Sequence, residues 1–195
     1  MDLKDLRIGT WNANGILDKK EEFSVFLKEN SIDICFVPET HLTKQSHIKI
    51  SGYNVHHTVH PDNQANGGSA IFIKNNLKYN EDLCIQLDRI QLTVLVVSST
   101  KQQFKVGAVY LPPRHNLKED DYRLILEHMG DRFVLGGDFN AKHSLWGSRL
   151  DNTKGRELKK AIENIGCNVH SSGKPTYWPT DRQKTPDVLD FFITK

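Results

Sequence analysis

The chain has 195 residues, 37% of them hydrophobic and 26% charged, with a formal net charge of +2. That length supports one substantial core, and the composition excludes a disordered, collagenous or disulfide-framed protein. The slight positive charge permits nucleic-acid binding without requiring it, because a protein that grips a duplex through a deep electrostatic stripe is more lopsided.

In chain order, Met1-Asp2-Leu3-Lys4-Asp5-Leu6 lacks the apolar stretch of a secretion signal. A first strand is predicted at Leu6–Trp11. Asp18 with Glu21 forms a capping-box pattern ahead of Phe23, Phe26 and Leu27, which predicts a helix over Lys19–Asn30. Strands rich in β-branched and aromatic residues follow at Ile32–Val37, Ala70–Lys74, Leu83–Leu87, Thr93–Ser98 and Phe104–Tyr110, with a hairpin between Val97 and Phe104. A second helix is predicted over Leu117–Met129, with Tyr122, Ile125, Leu126 and Met129 on one face. After a strand at Phe133–Gly136, a third helix follows Asn152, its apolar face made by Leu158, Ala161, Ile162 and Ile165; a last strand is predicted at Val188–Ile193.

No repeat or Pro/Gly/Ser-rich linker divides the chain, so a single domain over residues 1–195 is expected. The hairpin and the strand pairing near Ser69–Lys74 exclude a purely parallel sheet and point to an α/β fold of mixed sheets with outer helices. The three cysteines, Cys35, Cys84 and Cys167, are far apart among apolar neighbours, so buried free thiols in a reducing compartment are expected, with neither zinc nor a disulfide framework. The longest apolar run, Leu92–Val97, is too short to span a bilayer. A nuclear or cytoplasmic protein, not secreted and without membrane contact, is the expectation.

Polar residues sit where the predicted strands end. Glu39 follows the run Ile34-Cys35-Phe36-Val37-Pro38, and Asn12 leaves the first strand. Alone, Glu39 reads better as a solvated loop acid and Asn12 as a turn former beside Gly15. Together, at the ends of neighbouring strands, they suit a hard cation, which takes one or two carboxylates and keeps several waters. In Gly136-Gly137-Asp138-Phe139-Asn140-Ala141, strand alternation places Asp138 and Asn140 on one side, although Gly-Asp-x-Asn is also a common Asx turn. Tyr110 ends the run Val106-Gly107-Ala108-Val109; taken alone it is a core tyrosine, and in a site it donates to a phosphate oxygen.

Taken in order, Trp11-Asn12-Ala13-Asn14-Gly15, Pro38-Glu39-Thr40, Tyr110-Leu111-Pro112-Pro113, Gly136-Gly137-Asp138-Phe139-Asn140-Ala141 and Asp187-Val188-Leu189-Asp190-Phe191-Phe192 resemble the endonuclease/exonuclease/phosphatase superfamily, which includes DNase I and the apurinic endonucleases. Within it, Lys142-His143-Ser144-Leu145-Trp146-Gly147-Ser148 continues the pattern of the endonuclease domain of jockey-type non-LTR retrotransposons. The resemblance implies a DNase I-like four-layer fold, two mixed sheets packed as a sandwich with helices outside. It casts Glu39 and Asn12 as the principal ligands of Mg2+, or of Mn2+, with Asn14 at a position often acidic in apurinic endonucleases. It casts Asp138 as the water-activating carboxylate, Asn140 as the amide orienting water and phosphate, and Tyr110 as a phosphate or leaving-group donor. The implied substrate is double-stranded DNA, nicked to prime reverse transcription, with a reverse transcriptase downstream in the same polyprotein.

Asp190 matches the carboxylate that holds a catalytic histidine in its tautomer. That histidine normally follows in a Ser-Asp-His motif, and this chain ends five residues after Asp190 with none of its nine histidines in such a motif. The expectation is therefore a domain incomplete at its C-terminus, its closing strand or strands missing and its turnover impaired. Substrate contacts are expected from His143, from Trp178 in the aromatic stretch Thr176-Tyr177-Trp178, and from Asn66 ahead of Gly67-Gly68-Ser69, a stretch that reads at least as well as a hairpin turn. Lys142, Arg149, Lys154, Arg156, Lys174, Arg182 and Lys184 are candidate phosphate contacts, most of them expected to be ordinary solvated charges. The alternatives are an abasic-site repair endonuclease, against which Pro113 stands where apurinic endonucleases place an Asn, a lipid phosphatase, and a non-catalytic DNA-binding remnant.

Overall fold

A computed structural model of the chain describes residues 6–98, 102–179, 181, 183 and 185–195. The stretch Met1–Asp5, read above for a secretion signal, and the candidate phosphate contacts Arg182 and Lys184 lie outside these residues, as do residues 99–101, within the hairpin expected between Val97 and Phe104.

The strands are β1 (Ile8–Thr10), β2 (Ile34–Pro38), β3 (Tyr53–Thr58), β4 (Ser69–Lys74), β5 (Lys78–Glu81), β6 (Ile85–Leu87), β7 (Ile90–Ser98), β8 (Gln103–Tyr110), β9 (Phe133–Asp138), β10 (Asn168–His170) and β11 (Asp190–Thr194); the α-helices are α1 (Lys20–Glu29), α2 (Glu119–Met129) and α3 (Thr153–Ile165). One sheet runs β1-β2-β4-β3, and the other β10-β11-β9-β8-β7-β5 with β6 also paired to β7. Each is mixed: β1 and β2 are parallel, as are β8 and β9, and the remaining pairs are antiparallel.

Apolar burial sets the layers. Ile34, Phe36, Ile71 and Ile73 of the first sheet meet Leu95, Val97, Val106 and Ala108 of the second in a core between them. On the outer face of the first sheet, Phe23 and Leu27 of α1 pack on Cys35, Val37, Ala70 and Phe72. On the outer face of the second, α2 and α3 bring Tyr122, Ile125, Leu126, Leu158, Ala161 and Ile162 onto Leu92, Val109, Leu135 and Phe191. Helix, sheet, sheet and helix pair make four layers, the DNase I-like sandwich expected above.

Several expectations need correction. Asp18 does not cap α1: Leu17–Lys19 form a 3-10 turn, the helix N-cap is Lys19, and no side chain caps it. Strands β3, β5 and β10 were not foreseen. Tyr53-Asn54-Val55-His56-His57-Thr58 and Lys78-Tyr79-Asn80-Glu81 are too polar to show a buried run, and partners in the sheet select them instead. Leu83 is 76% exposed and precedes the strand rather than belonging to it. Cys35 is buried as expected, Cys167 is half-buried, and Cys84 is exposed.

Close backbone approach makes Gly137 structurally demanding. Its φ is 136°, and a Cβ there would lie 2.1 Å from the Val109 carbonyl oxygen on β8. Gly137→Ala is expected to destabilise the fold by at least about 2 kcal/mol, read as a lower midpoint in urea unfolding.

Candidate active site

Strand directions decide where polar side chains meet. Because β1 and β2 are parallel, their C-terminal ends share one edge; β8 and β9 do the same in the other sheet, and antiparallel β11 begins at that rim. In register, the Cα of Asp138 lies between those of Tyr110 and Asp190. Beyond β1 and β2 the ladder continues irregularly: the Ala13 N–H donates to Pro38 O (3.1 Å) and the Gly15 N–H to Glu39 O (2.8 Å), which sets Asn12 beside Glu39.

The two sheets meet through Asn12. Its Nδ2 donates to Glu39 Oε1 (3.2 Å) and to Asp138 Oδ2 (3.4 Å), and its Oδ1 accepts from the Asn14 N–H (3.1 Å). The Asp138 carboxylate also accepts from the Asn140 N–H (2.8 Å), so the Asx turn and the candidate catalytic placement coexist in one motif. Asn140 Nδ2 donates to Leu111 O (3.1 Å). Asp190 is held through its backbone, its N–H and that of Leu189 donating to Thr176 Oγ1 (each 3.0 Å), while its buried Oδ1 has no hydrogen-bond partner.

Glu39, Asn14 and Asn140 adopt positive φ angles of 54°, 40° and 47°. For residues with a Cβ this is a sparsely populated region, tolerated where surrounding bonds over-determine it. Gly67 and Gly68 admit the Glu39 turn: their carbonyls accept from the His41 N–H (2.9 Å) and the Thr40 N–H (3.4 Å), and a Cβ on Gly67 would lie 3.0 Å from the Tyr110 ring.

Burial of acids without matching cations raises their affinity for protons. Burial first, then the Asp190 and Glu39 carboxylates, pushes Asp138 well above the usual carboxylate range. Burial pushes Asp190 up to about 6, with Glu39 adding to the rise against the Thr176 bond. Burial, then Glu39 and Asp138, also raises the Tyr110 phenol, which stays protonated at neutral pH.

These groups open into a cleft of about 630 Å³ lined by Glu39, Tyr110, Asp138, Asn140, Lys142 and Lys154 among others. The donor set is all oxygen. Among the described residues no three His, Cys, Asp or Glu side chains form a closed metal cage, but magnesium needs only one or two carboxylates. The Asn12 amide, wedged between two acids where a cation would serve better, fits a divalent ion held by Glu39 and Asn12 beside Asp138.

The other predicted residues stand apart. Asn14 and Asn66 are exposed and do not line the cleft. His143 is half-buried, caps the turn Ser144–Trp146 by accepting from the Leu145 N–H (3.0 Å), and lies 3.5 Å from Asp151. Trp178 is 66% exposed, and its neighbour Tyr177 lines the cleft. Sequence reasoning undervalued Lys154, which is buried and donates to Pro112 O (2.9 Å) and Pro113 O (3.0 Å). It also left unassigned Asn152, whose side chain ties α3 to Lys142, and Asp187, paired with Lys142 at 2.9 Å. Burial raises the Asp187 carboxyl, but Lys142 and the Arg149 and Val188 N–H groups outweigh it and the net shift is downward.

The sequence profile described as the Endonuclease/Exonuclease/phosphatase family matches residues 9–195. The chain belongs to this family. Among curated family relatives, it is 35% identical over 189 residues to "RNA-directed DNA polymerase from mobile element jockey" of Drosophila melanogaster, covering 97% of this chain and 21% of the relative. It is 34% identical over 191 residues to "Probable RNA-directed DNA polymerase from transposon X-element" of the same organism, with the same coverage. The chain thus spans about a fifth of the length of the curated relatives it matches. Among solved family structures, the endonuclease domain of TRAS1, a telomere-specific non-LTR retrotransposon, superposes with a TM-score of 0.80 at 18% identity, covering 97% of this chain and 85% of that one. An AP endonuclease from Archaeoglobus fulgidus gives 0.67 at 17% identity, with coverages of 97% and 86%. At these identities the structural likeness speaks for the fold.

Folding raises the Asp190 pKa from 3.8 to about 6. The folded state therefore holds that proton more tightly than the unfolded chain. The stability this contributes is fully present below pH 3.8 and is lost as pH rises through about 6. Asp190→Asn is accordingly expected to be more stable than the parent at pH 7, by on the order of 3 kcal/mol, with the gap closing towards pH 4. Urea unfolding without divalent metal at pH 4, 5, 6 and 7 measures it.

Proposed function

We propose that this chain is a magnesium-dependent endonuclease domain that nicks double-stranded DNA, leaving the end that primes reverse transcription of a non-LTR retrotransposon. The observation that carries the reading is the convergence of Glu39, Asn12, Asp138, Asn140, Tyr110 and Asp190 on one rim, opening into a cleft that two lysines line. The likeness to jockey-type polyproteins supports the retrotransposon role and a reverse transcriptase downstream in the same polyprotein.

Each residue has a part that its surroundings suit. Glu39 and Asn12 would hold a magnesium ion, which would neutralise charge on the phosphate. Asp138, in register with Tyr110 and Asp190 at the rim, takes the proton from the attacking water. Its orientation is fixed by the Asn140 N–H, and the Asn140 side chain, anchored on Leu111 O, positions water and phosphate. Tyr110, protonated throughout the physiological range, donates to a phosphate oxygen or to the departing oxygen. Lys142 makes the cleft attractive to a polyanion. Asn14, a metal-ligand candidate from the resemblance, is exposed and becomes an outer contact; His143, Trp178 and Asn66 remain substrate contacts, with Trp178 presented for stacking or groove insertion. The unpartnered Asp190 oxygen suits an imidazole N–H; among the described residues no histidine supplies it.

The test is nicking of supercoiled plasmid in magnesium by this chain, by its Asp138→Ala variant, and by a fusion carrying the segment that follows the matched region in the jockey relative. The fusion is expected to nick several orders of magnitude faster than the 195-residue chain, and Asp138→Ala in that background to abolish it. Equal silence from chain and fusion on plasmid, with cleavage of abasic duplex or of phospholipid head groups instead, overturns the substrate assignment. Magnesium at a hundredfold its Kd should stabilise the parent by about 2.7 kcal/mol. Glu39→Gln should remove most of that gain, read as the shift in melting temperature on adding and then chelating the metal.

A further inference from the structure

The Pro112–Pro113 turn lies one residue beyond Tyr110, and Pro113 lines the cleft. Neither proline has an N–H, and the turn's own backbone bond is a long one, His115 N–H to Pro112 O at 3.4 Å. A cation from elsewhere adds to it: Lys154 sends Nζ to both carbonyls, Pro112 O at 2.9 Å and Pro113 O at 3.0 Å. The residue is only 6% exposed, so this ammonium is committed to the interior rather than to solvent.

Lys154 stands in the first turn of α3, and that turn is fixed to the other side of the site. Asn152 N–H donates to Lys142 O (2.9 Å), and Asn152 Oδ1 accepts from the Lys142 N–H (3.0 Å) and the Gly155 N–H (2.7 Å). A Cβ on Gly155 would lie 1.8 Å from Lys142 O, so the helix sits directly on the backbone two residues beyond Asn140. Asn140 reaches back to Leu111 O and completes a ring of contacts.

We propose that Lys154 is a positioning residue for the nuclease site: through its two carbonyl bonds it fixes the Pro112–Pro113 turn, and with it the adjoining Leu111 carbonyl on which the Asn140 amide is anchored. Tyr110 itself is held beside Asp138 by the β8–β9 ladder and the Leu111 N–H bond to Asp138 O (3.0 Å). Asn152 and Gly155 make the helix start a rigid spacer between the two loops, and the lysine is the bolt at its far end. Loss of that bolt misplaces the Asn140 amide relative to the water-activating carboxylate without removing any group that touches substrate. The assignment rests on the nuclease reading above for its catalytic consequence, and on geometry alone for the tie.

The experiment combines hydrogen–deuterium exchange with steady-state nicking for the fusion described above and its Lys154→Met and Lys154→Arg variants. In Lys154→Met, exchange over residues 110–116 and 138–142 is expected to speed up while 20–29 stays unchanged. Its kcat should fall about ten- to a hundredfold with KM within about twofold, since a displacement near 1 Å has that effect. Lys154→Arg, which keeps charge and donors, should recover most of both. Unchanged exchange at 110–116 overturns the proposal. So does a raised KM with normal kcat and a salt dependence smaller by about one phosphate contact, the signature of a residue that merely binds DNA. If Lys154→Met does not fold, Lys154→Gln replaces it. A neutral donor that keeps exchange and kcat near normal supports the tie, and normal exchange with lost kcat assigns the effect to charge and overturns it. A fusion that nicks no DNA at all refutes the nuclease reading, and the exchange experiment, which needs no turnover, still decides the tie.

Discussion

Asp138 is the residue on which the rest of the structure depends. Its backbone is in register with Tyr110 on one side and Asp190 on the other, and its carboxylate receives the Asn12 amide from the opposite sheet. The apolar core between the sheets presses them together, but it is indifferent to small slides. The polar bridge at their rim is directional and gives the packing a defined alignment. Close approach of β8 and β9 at Gly137 serves the same end, because a side chain there would push Asp138 away from Tyr110.

Three acids gathered where water is scarce work against folding, as the raised proton affinities of Asp138 and Asp190 show. Positive φ angles at Asn14, Glu39 and Asn140 add local strain around the same rim. Both costs are offset elsewhere, by three apolar clusters and by aromatic stacking of Phe139 and Trp146 on Phe191, whose ring centroids lie 4.4 and 4.9 Å apart. Phe139 faces that core while its neighbours Asp138 and Asn140 face the cleft. A single short segment thus couples the most stable part of the molecule to the least comfortable.

Residues with strong local signals were legible in the sequence. Helices α1, α2 and α3 follow from apolar spacing, and the strand ends at Asn12, Glu39, Tyr110 and Asp138 follow from apolar runs that stop at a polar group. The structure brings together the inner set named from the sequence, but His143 turns to the loop it caps, and Asn14 and Asn66 face solvent. What the sequence did not show depends on partners distant in the chain. Strands β3, β5 and β10 are polar segments recruited by their neighbours, and Asp18 lost its capping role because it lies inside a 3-10 turn, Leu17–Lys19, that runs into the helix. Lys154 looked like any surface lysine; only the two proline carbonyls, 41 and 42 residues away, make it a buried one. A Pro-Pro pair beside a candidate catalytic tyrosine was the one available hint, since such a turn must find its donors elsewhere.

The bridge from Asn12 to Asp138 spans 126 positions of the chain, and Asp190 comes later still. During synthesis the first sheet, with Asn12 and Glu39, therefore emerges long before the strands that face it. At that stage the ribosome-bound chain holds two isolated polar groups and no cleft. Chemistry begins only when β9 and β11 have been made and docked. The hydrolytic site is in this way kept incomplete by chain order until the second sheet is in place.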